Sequence, residues 1–64
     1  MPDVLIDYTN WRGERSTRLI KPDRIEFASN QWHPDTQWLL WALDHKSGET
    51  RAFAMRNIHS WTQQ

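Results

Sequence analysis

Residues 37–43 read Gln-Trp-Leu-Leu-Trp-Ala-Leu, a nearly continuous apolar run with polar residues on either side. The run is too short for a typical helix and suits a central β-strand that is covered on both faces. Side chains alternate between the two faces of a strand, so Trp38 shares a face with Leu40 and Ala42. We therefore expect Trp38 to lie in the core.

A tight turn follows this strand at residues 44–48, Asp-His-Lys-Ser-Gly, in which we expect Gly48 to adopt a positive φ beside a bulge. Residues 49–55 then return as a further strand that places Phe53 and Met55 on one face. Together the two strands predict a β-hairpin.

Alternation with a period of two also marks the N-terminal third of the chain. Residues 4–8 predict a first strand, and residues 10–14 supply turn chemistry in which Gly13 is free to take a positive φ. Residues 15–21 predict a second strand. We expect Pro22 to end it, because proline donates no hydrogen bond to a ladder.

Residues 23–28 alternate again and predict another strand, which is followed by an irregular loop at residues 29–36. Near the C-terminus we expect Asn57 to cap a helical turn that brings Ile58 and Trp61 to one side. The whole pattern predicts a single free-standing all-β domain, residues 1–64. We expect a small, strongly bent, five-stranded antiparallel sheet that closes into a barrel, with a short C-terminal helical turn.

The composition narrows the class of protein. The chain has no cysteine, which excludes disulfides and thiolate metal sites and fits a reducing compartment. Eight Lys and Arg balance eight Asp and Glu, so bulk attraction to nucleic acid or to membranes is not indicated. No apolar run approaches the ~20 residues that span a bilayer, and no signal peptide is recognisable. We expect a cytoplasmic protein without a membrane partner.

Five tryptophans are many for a chain of 64 residues. Each indole removes roughly 150–250 Å² from water when buried, so one small core has no room for all five. We expect one or two on the surface, where exposed tryptophan often marks a contact. Edge strands of an incompletely closed barrel would add unpaired backbone groups. These features predict a symmetric homodimer with Trp11, Trp32 or Trp61 in the contact.

A series of short motifs follows the chain in order: Tyr8, a glycine turn, Arg18-Leu-Ile-Lys-Pro22, Trp38-Leu39-Leu40, Ala42, Asp44, Gly48, Arg51-Ala-Phe53 and Arg56-Asn-Ile58. This series resembles the WYL domain of bacterial regulators, in which a Trp-Tyr-Leu strand precedes an Arg-x-Phe strand and an Arg-Ile segment. The sequence departs from that pattern at Leu39, where the family has tyrosine, and in the Trp32-His33-Pro34 loop. The resemblance implies an Sm-like or Src-homology-3-like barrel with a ligand-sensing role.

The resemblance also places ligand contacts on the arginines that match its motifs, Arg18, Arg51 and Arg56. Arginine suits this role because its planar fork of donors fits phosphate or carboxylate and keeps its charge. A structural alternative remains open, in which these arginines pair with Asp7, Asp44 or Glu49 and hold the strands together.

Two further residues are candidate ligand contacts. An exposed Trp41 beside such arginines would offer a stacking platform worth about 1–3 kcal/mol per base, with simple core packing as the alternative. His33 is a candidate to line a pocket, with ordering of its loop as the alternative. The spacing of His33, His45 and His59 matches no metal-binding motif, and we expect neither a metal nor a cofactor.

Catalysis has little support in the sequence. It has no cysteine nucleophile, no Gly-x-Ser-x-Gly elbow and no phosphate-binding glycine loop, so we expect a protein that is not an enzyme. The leading hypothesis is a regulatory module that binds an anionic small molecule or a short nucleic acid through strand arginines. The alternative is a structural protein-interaction module that forms a homodimer or heteromer through exposed tryptophans.

Overall fold

The computed structural model describes residues 2–64 and confirms the all-β fold class. The strands are β1 (Val4–Thr9), β2 (Arg15–Ala28), β3 (Gln37–Asp44), β4 (Glu49–Ala54) and β5 (Ile58–Gln63). They form one antiparallel sheet in the order β4-β3-β2-β1-β5. The expected closure into a barrel is wrong, because the edge strands β4 and β5 do not pair with each other within residues 2–64. Within residues 2–64 the only helical element is a 3-10 turn, Met55–Asn57, and no helix there could cross a membrane.

The second strand is longer than the sequence predicts. β2 runs straight through Pro22, so the expectation of separate strands at residues 15–21 and 23–28 is wrong. Pro22 pairs with Ala42, and the register then shifts before Arg24, which marks a β-bulge. A bulge interrupts the ladder, so it tolerates a residue that lacks an amide hydrogen. The proline therefore lies within one continuous strand instead of ending it.

The C-terminal segment also differs from the expectation. The helical turn ends at Asn57 instead of beginning there, and Ile58 and Trp61 lie on β5. This last strand pairs with β1, with Trp61 opposite Ile6. Its residues are mostly polar and show no apolar alternation, so its assignment as a strand depends on the presence of β1 beside it.

Both glycine turns are confirmed. Gly13 has a φ of 83° and Gly48 a φ of 72°. In the first turn, the Asn10 side chain accepts a hydrogen bond of 2.9 Å from the amide of Glu14. In the second, the amide of Gly48 donates to the carbonyl of Asp44 at 2.7 Å. The first turn connects β1 to β2 and the second connects β3 to β4, and each sets the register of its hairpin.

The main hydrophobic cluster lies on one face of the bent sheet, and Leu39 and Ala54 are buried on the other face. The buried members of the cluster are Val4, Ile6, Tyr8, Ile20, Leu40, Ala42 and Phe53, with Ile58 packed against them. The strand registers place these residues opposite or diagonal to one another. Burial of each large apolar side chain contributes about 1.5–3 kcal/mol, which makes this cluster the main source of stability.

The prediction that Trp38 lies in the core is wrong. Trp38 shares the face of Leu40, but its side chain is 53% exposed. β1 pairs with β2 only between Arg15 and Ile20, whereas β3 pairs with β2 from Ile20 to its end at Ala28. The far end of the β2–β3 hairpin therefore extends beyond β1. There Trp38 meets Phe27 edge to face, with 5.2 Å between the ring centroids.

More tryptophan is exposed than expected. Only Trp41 is partly buried, and the other four indoles are exposed: Trp11, Trp32, Trp38 and Trp61. A small one-layer sheet has too little interior for five bulky rings, so most of them remain at the surface.

Candidate ligand-binding pocket

A pocket of about 300 Å³ lies beside β4, between that strand, the β1–β2 turn and the loop that joins β2 to β3. It is lined by four of the five residues that the sequence predicts as site residues: Arg18, Arg51, Trp41 and His33. The tertiary structure thus brings together side chains from three strands and a loop. Trp11 and Trp32 add two further indoles to the lining.

The two arginines of the pocket converge on one carboxylate. Arg18 NH1 lies 2.9 Å from Asp44 Oδ2, and Arg51 Nε lies 3.9 Å from the same oxygen. Asp44 ends β3, where it pairs with Ile20 of β2 and Glu49 of β4. Its strand lies between β4 and β2, so Asp44 can contact arginines from both sides.

Asp44 is a buried charge that depends on these contacts. Its side chain is 1% exposed, and its other oxygen accepts a hydrogen bond of 3.0 Å from the amide of Lys46. A carboxylate removed from water is costly unless it is paired and hydrogen-bonded. The structure therefore contains the Arg18–Asp44 pairing that the structural alternative expects.

The two arginines differ in exposure and in their distance from the Asp44 carboxylate. The Arg18 side chain is 24% exposed and that of Arg51 is 50% exposed. Arg51 also reaches Glu49, at 3.3 Å, through an exposed contact that contributes little to stability. Arg51 is thus the arginine whose charge is more accessible from the pocket.

Both guanidinium groups have N–H donors without an acceptor among residues 2–64. Arg18 donates from Nε to Ser16 at 3.1 Å and from NH1 to Asp44. Arg51 donates from Nε to Ser47 and from NH2 to Glu49, both at 3.3 Å. In the chain from residue 2 onward, no acceptor engages NH2 of Arg18 or NH1 of Arg51. Each arginine has five N–H donors, so both have capacity for an anion.

Trp41 is neither a core residue nor a free surface residue. Its indole Nε1 donates a hydrogen bond of 3.2 Å to Glu26, and the Arg24 guanidinium lies 5.2 Å from its ring centroid. A second cation–π contact joins Arg12 to Trp11 at 5.0 Å. These contacts orient two of the indoles that line the pocket.

The loop between β2 and β3 is ordered by Asn30 and His33. Asn30 Oδ1 accepts hydrogen bonds from the amides of Trp32 at 3.0 Å and His33 at 2.8 Å. The buried His33 ring places Nε2 within 3.3 Å of the Ala52 carbonyl on β4. His33 therefore both lines the pocket and attaches the loop to the strand, which holds Trp32 beside the cavity.

Tyr8 also lines the pocket, although the sequence marks it only as a strand residue and a member of the motif series. Its hydroxyl accepts a hydrogen bond of 3.1 Å from the Ala54 amide, and its ring packs edge to face on Phe53 with 5.0 Å between centroids. Burial is the main influence on the hydroxyl and raises the pKa of Tyr8, although the hydrogen bond from the Ala54 amide and the nearby charge of Arg18 lower it. The residue is therefore neutral at physiological pH.

Arg56 does not join the other predicted site residues. It lies at a separate depression of about 560 Å³ that is lined mainly by Ile25, Phe27, Trp38 and Met55. Its guanidinium is 3.7 Å from Asp35, and both side chains are exposed. β4 ends at Ala54 and the 3-10 turn redirects the chain, so Arg56 no longer follows the direction of Arg51.

The chemistry of the pocket consists of hydrogen-bond donors and aromatic faces. Across residues 2–64 there is no group of three His, Asp or Glu side chains placed to hold a metal ion.

Asn30, Glu49 and Thr50 also line the pocket and were not predicted from the sequence. Only Asn30 had a local signal, since asparagine in an irregular loop commonly bonds backbone amides.

A family model described as the WYL domain matches residues 3–63, a range that includes all five strands. Neither a curated protein nor a solved structure gives a significant match to the sequence.

Proposed function

The chain belongs to the WYL domain family, and we propose that it is a regulatory module whose pocket binds an anion that carries a planar ring, such as a nucleotide or a short single strand of nucleic acid. One observation carries this proposal: Arg18 and Arg51 converge on Asp44 in a pocket that three indoles line. In this proposal the ligand is bound and released without chemical change.

The arginines supply the recognition of the anion. One oxygen of Asp44 is close to both guanidinium groups, so Arg18 and Arg51 are held near each other with donors to spare. A phosphate has several oxygens and can accept hydrogen bonds from both groups at once. A point charge such as chloride would use fewer of these donors.

The tryptophans supply the recognition of the ring. Stacking of a base on an aromatic side chain contributes about 1–3 kcal/mol and tolerates any base. The pocket volume of about 300 Å³ lies at the lower end of small-molecule sites. One base with its phosphate fits that size, and a longer strand would continue over the exposed Trp11 and Trp32.

Calorimetric titration with three matched compounds tests this proposal. Adenosine monophosphate carries both recognition elements, adenosine lacks the phosphate, and ribose 5-phosphate lacks the base. We expect the nucleotide to bind at least about tenfold more tightly than either fragment, a difference of about 1.4 kcal/mol. A hexathymidylate titration separates a strand-binding site from a nucleotide site. Absence of binding by all four compounds at millimolar concentration would overturn the proposal.

An arginine pair provides the matched variants. Arg51→Ala should weaken binding of the nucleotide about tenfold, because it removes the more exposed cation of the pocket. Arg15→Ala is the control, because Arg15 is also an exposed strand arginine but holds Asp7 and does not line the pocket. Equal affinities of the two variants would count against the assigned site.

A second candidate function is a structural protein-interaction module. The exposure of four tryptophans favours it, since exposed large apolar side chains often mark a contact. Under this alternative the nucleotide titrations show no heat, and Arg51→Ala has no effect on association. The titration series therefore discriminates between the two functions.

A further inference from the structure

The two edges of the sheet are protected unequally. Two side chains engage backbone groups on the free side of β4: the Tyr8 hydroxyl at the Ala54 amide and the His33 ring near the Ala52 carbonyl. The other edge is β5, which has β1 as its only neighbour among residues 2–64. Five of its six residues are exposed.

The sequence of β5 lacks the residues that usually guard an edge. It reads Ile-His-Ser-Trp-Thr-Gln, with no Lys, Arg, Asp, Glu or Pro. Soluble proteins commonly use charges, prolines or bulges to prevent edge-to-edge pairing. One bulge is present at His59, where the register with β1 shifts, but the strand is regular from Ser60 to Gln63.

The ladder with β1 identifies which backbone groups are free. The Gln64 amide donates to the Asp3 carbonyl at 3.0 Å, so these residues form a hydrogen-bonded pair. Such pairs alternate along an antiparallel ladder, which turns the amide and carbonyl of Trp61 and Gln63 away from β1. The open edge therefore presents a row of donors and acceptors beside a Trp61 side chain that is 49% exposed.

We propose that β5 of a second copy of this chain covers this edge. The two strands pair antiparallel about a two-fold axis at Trp61 and join both sheets into one continuous sheet. In this register the two Trp61 residues exchange amide–carbonyl hydrogen bonds, and Gln63 of each copy lies opposite His59 of the other. The proposal is independent of the ligand-binding pocket.

A second copy suits this edge for three reasons. β5 contains no Lys, Arg, Asp or Glu, and the chain has a formal net charge of zero, so bulk electrostatic repulsion does not oppose self-association. Antiparallel pairing of a strand with itself is self-complementary. Because side chains engage part of the β4 edge, head-to-tail β4–β5 pairing into rings or fibres is disfavoured, which favours the closed two-fold dimer.

Sedimentation velocity tests the dimer. Interfaces below the standard area of about 1,200–2,000 Å² associate weakly, and one pair of edge strands forms a small interface, so the protein concentration should span about 1 µM to 1 mM. We expect the wild-type protein to shift from monomer to dimer, and Trp61→Lys to remain monomeric. Trp38→Lys is the matched control: Trp38 is 53% exposed but lies on the β2–β3 hairpin, so its dimer should persist. A monomeric wild type throughout, or loss of the dimer in Trp38→Lys alone, would overturn the proposal.

Amide hydrogen exchange of the wild-type protein supplies a readout that needs no variant. At the concentration where the dimer forms, the amides of Trp61 and Gln63 should exchange at least about tenfold more slowly than in the monomer. The Gln31 amide, in the exposed β2–β3 loop, should show no such dependence. Unchanged exchange at Trp61 and Gln63 in a sample that is dimeric would place the interface elsewhere and refute this pairing.

Discussion

The hydroxyl of Tyr8 on β1 accepts a hydrogen bond of 3.1 Å from the backbone amide of Ala54 at the end of β4. Two other strands separate β1 from β4 in the sheet, so no ladder connects them. The Tyr8 ring also packs on Phe53 of β4. A single side chain thus links the two strands across the open side of the sheet.

Replacement of Tyr8 by phenylalanine should show how much its hydrogen bond to the Ala54 amide contributes to stability. Tyr8→Phe keeps the ring but leaves the Ala54 amide without its partner, and we expect a loss of about 1–2 kcal/mol in the free energy of unfolding. Urea denaturation measures the difference. Thr17→Val is the control, since Thr17 is an exposed strand hydroxyl, and it should stay within about 0.5 kcal/mol of the wild type. Similar stability of the two variants would contradict the role assigned to Tyr8.

The protein should lose stability at alkaline pH through the same residue. Burial raises the pKa of Tyr8 above its ordinary value of 10.0, so the folded state favours the neutral phenol. This contribution is fully present below about pH 10 and is lost as the pH rises through the folded-state pKa. Because Tyr8 is the single tyrosine, ultraviolet difference absorbance can follow its ionisation directly. Ionisation of the native protein at the ordinary pKa would refute this prediction, and Tyr8→Phe should lack the corresponding loss.

The two pocket arginines should differ in their effect on stability. Arg18→Ala removes the 2.9 Å partner of a buried carboxylate, and we expect a loss of about 3 kcal/mol because Asp44 is left with weaker compensation. Arg51→Ala removes a half-exposed group 3.9 Å away and should cost less than about 1 kcal/mol. Chemical denaturation of both variants measures the contrast. Equal losses would show that the two arginines share the carboxylate equally.

Truncation of side chains on β3 should destabilise the protein according to whether β1 covers the residue and not according to the size of the side chain. Leu40→Ala creates a cavity within the core cluster and should cost about 2–5 kcal/mol. Trp38→Ala removes a larger side chain, but one that is exposed and packs on Phe27, so we expect about 1 kcal/mol. Thermal or urea unfolding gives both values. A Trp38→Ala variant that is less stable than Leu40→Ala would mean that the hairpin end is covered.

Local patterns predicted much of the fold and part of the pocket. Alternation located β1 and the beginning of β2, and the positive φ of Gly13 and Gly48 followed from turn chemistry. Local patterns failed where a long-range partner decides the outcome. Pro22 remains inside β2 because a bulge opposite β3 accepts it, and Arg56 leaves the predicted site because the chain turns after β4.

The sequence by itself determined the class of fold, the two glycine turns, the family and the chemistry of the arginines, since all of these depend on neighbouring residues and their order. Only the tertiary structure decided which faces are covered. The pairing of Arg18 with Asp44 joins residues 26 positions apart, and the exposure of Trp38 depends on where β1 ends. Burial and ion pairing are sums over contacts between distant segments, so a local pattern does not contain them.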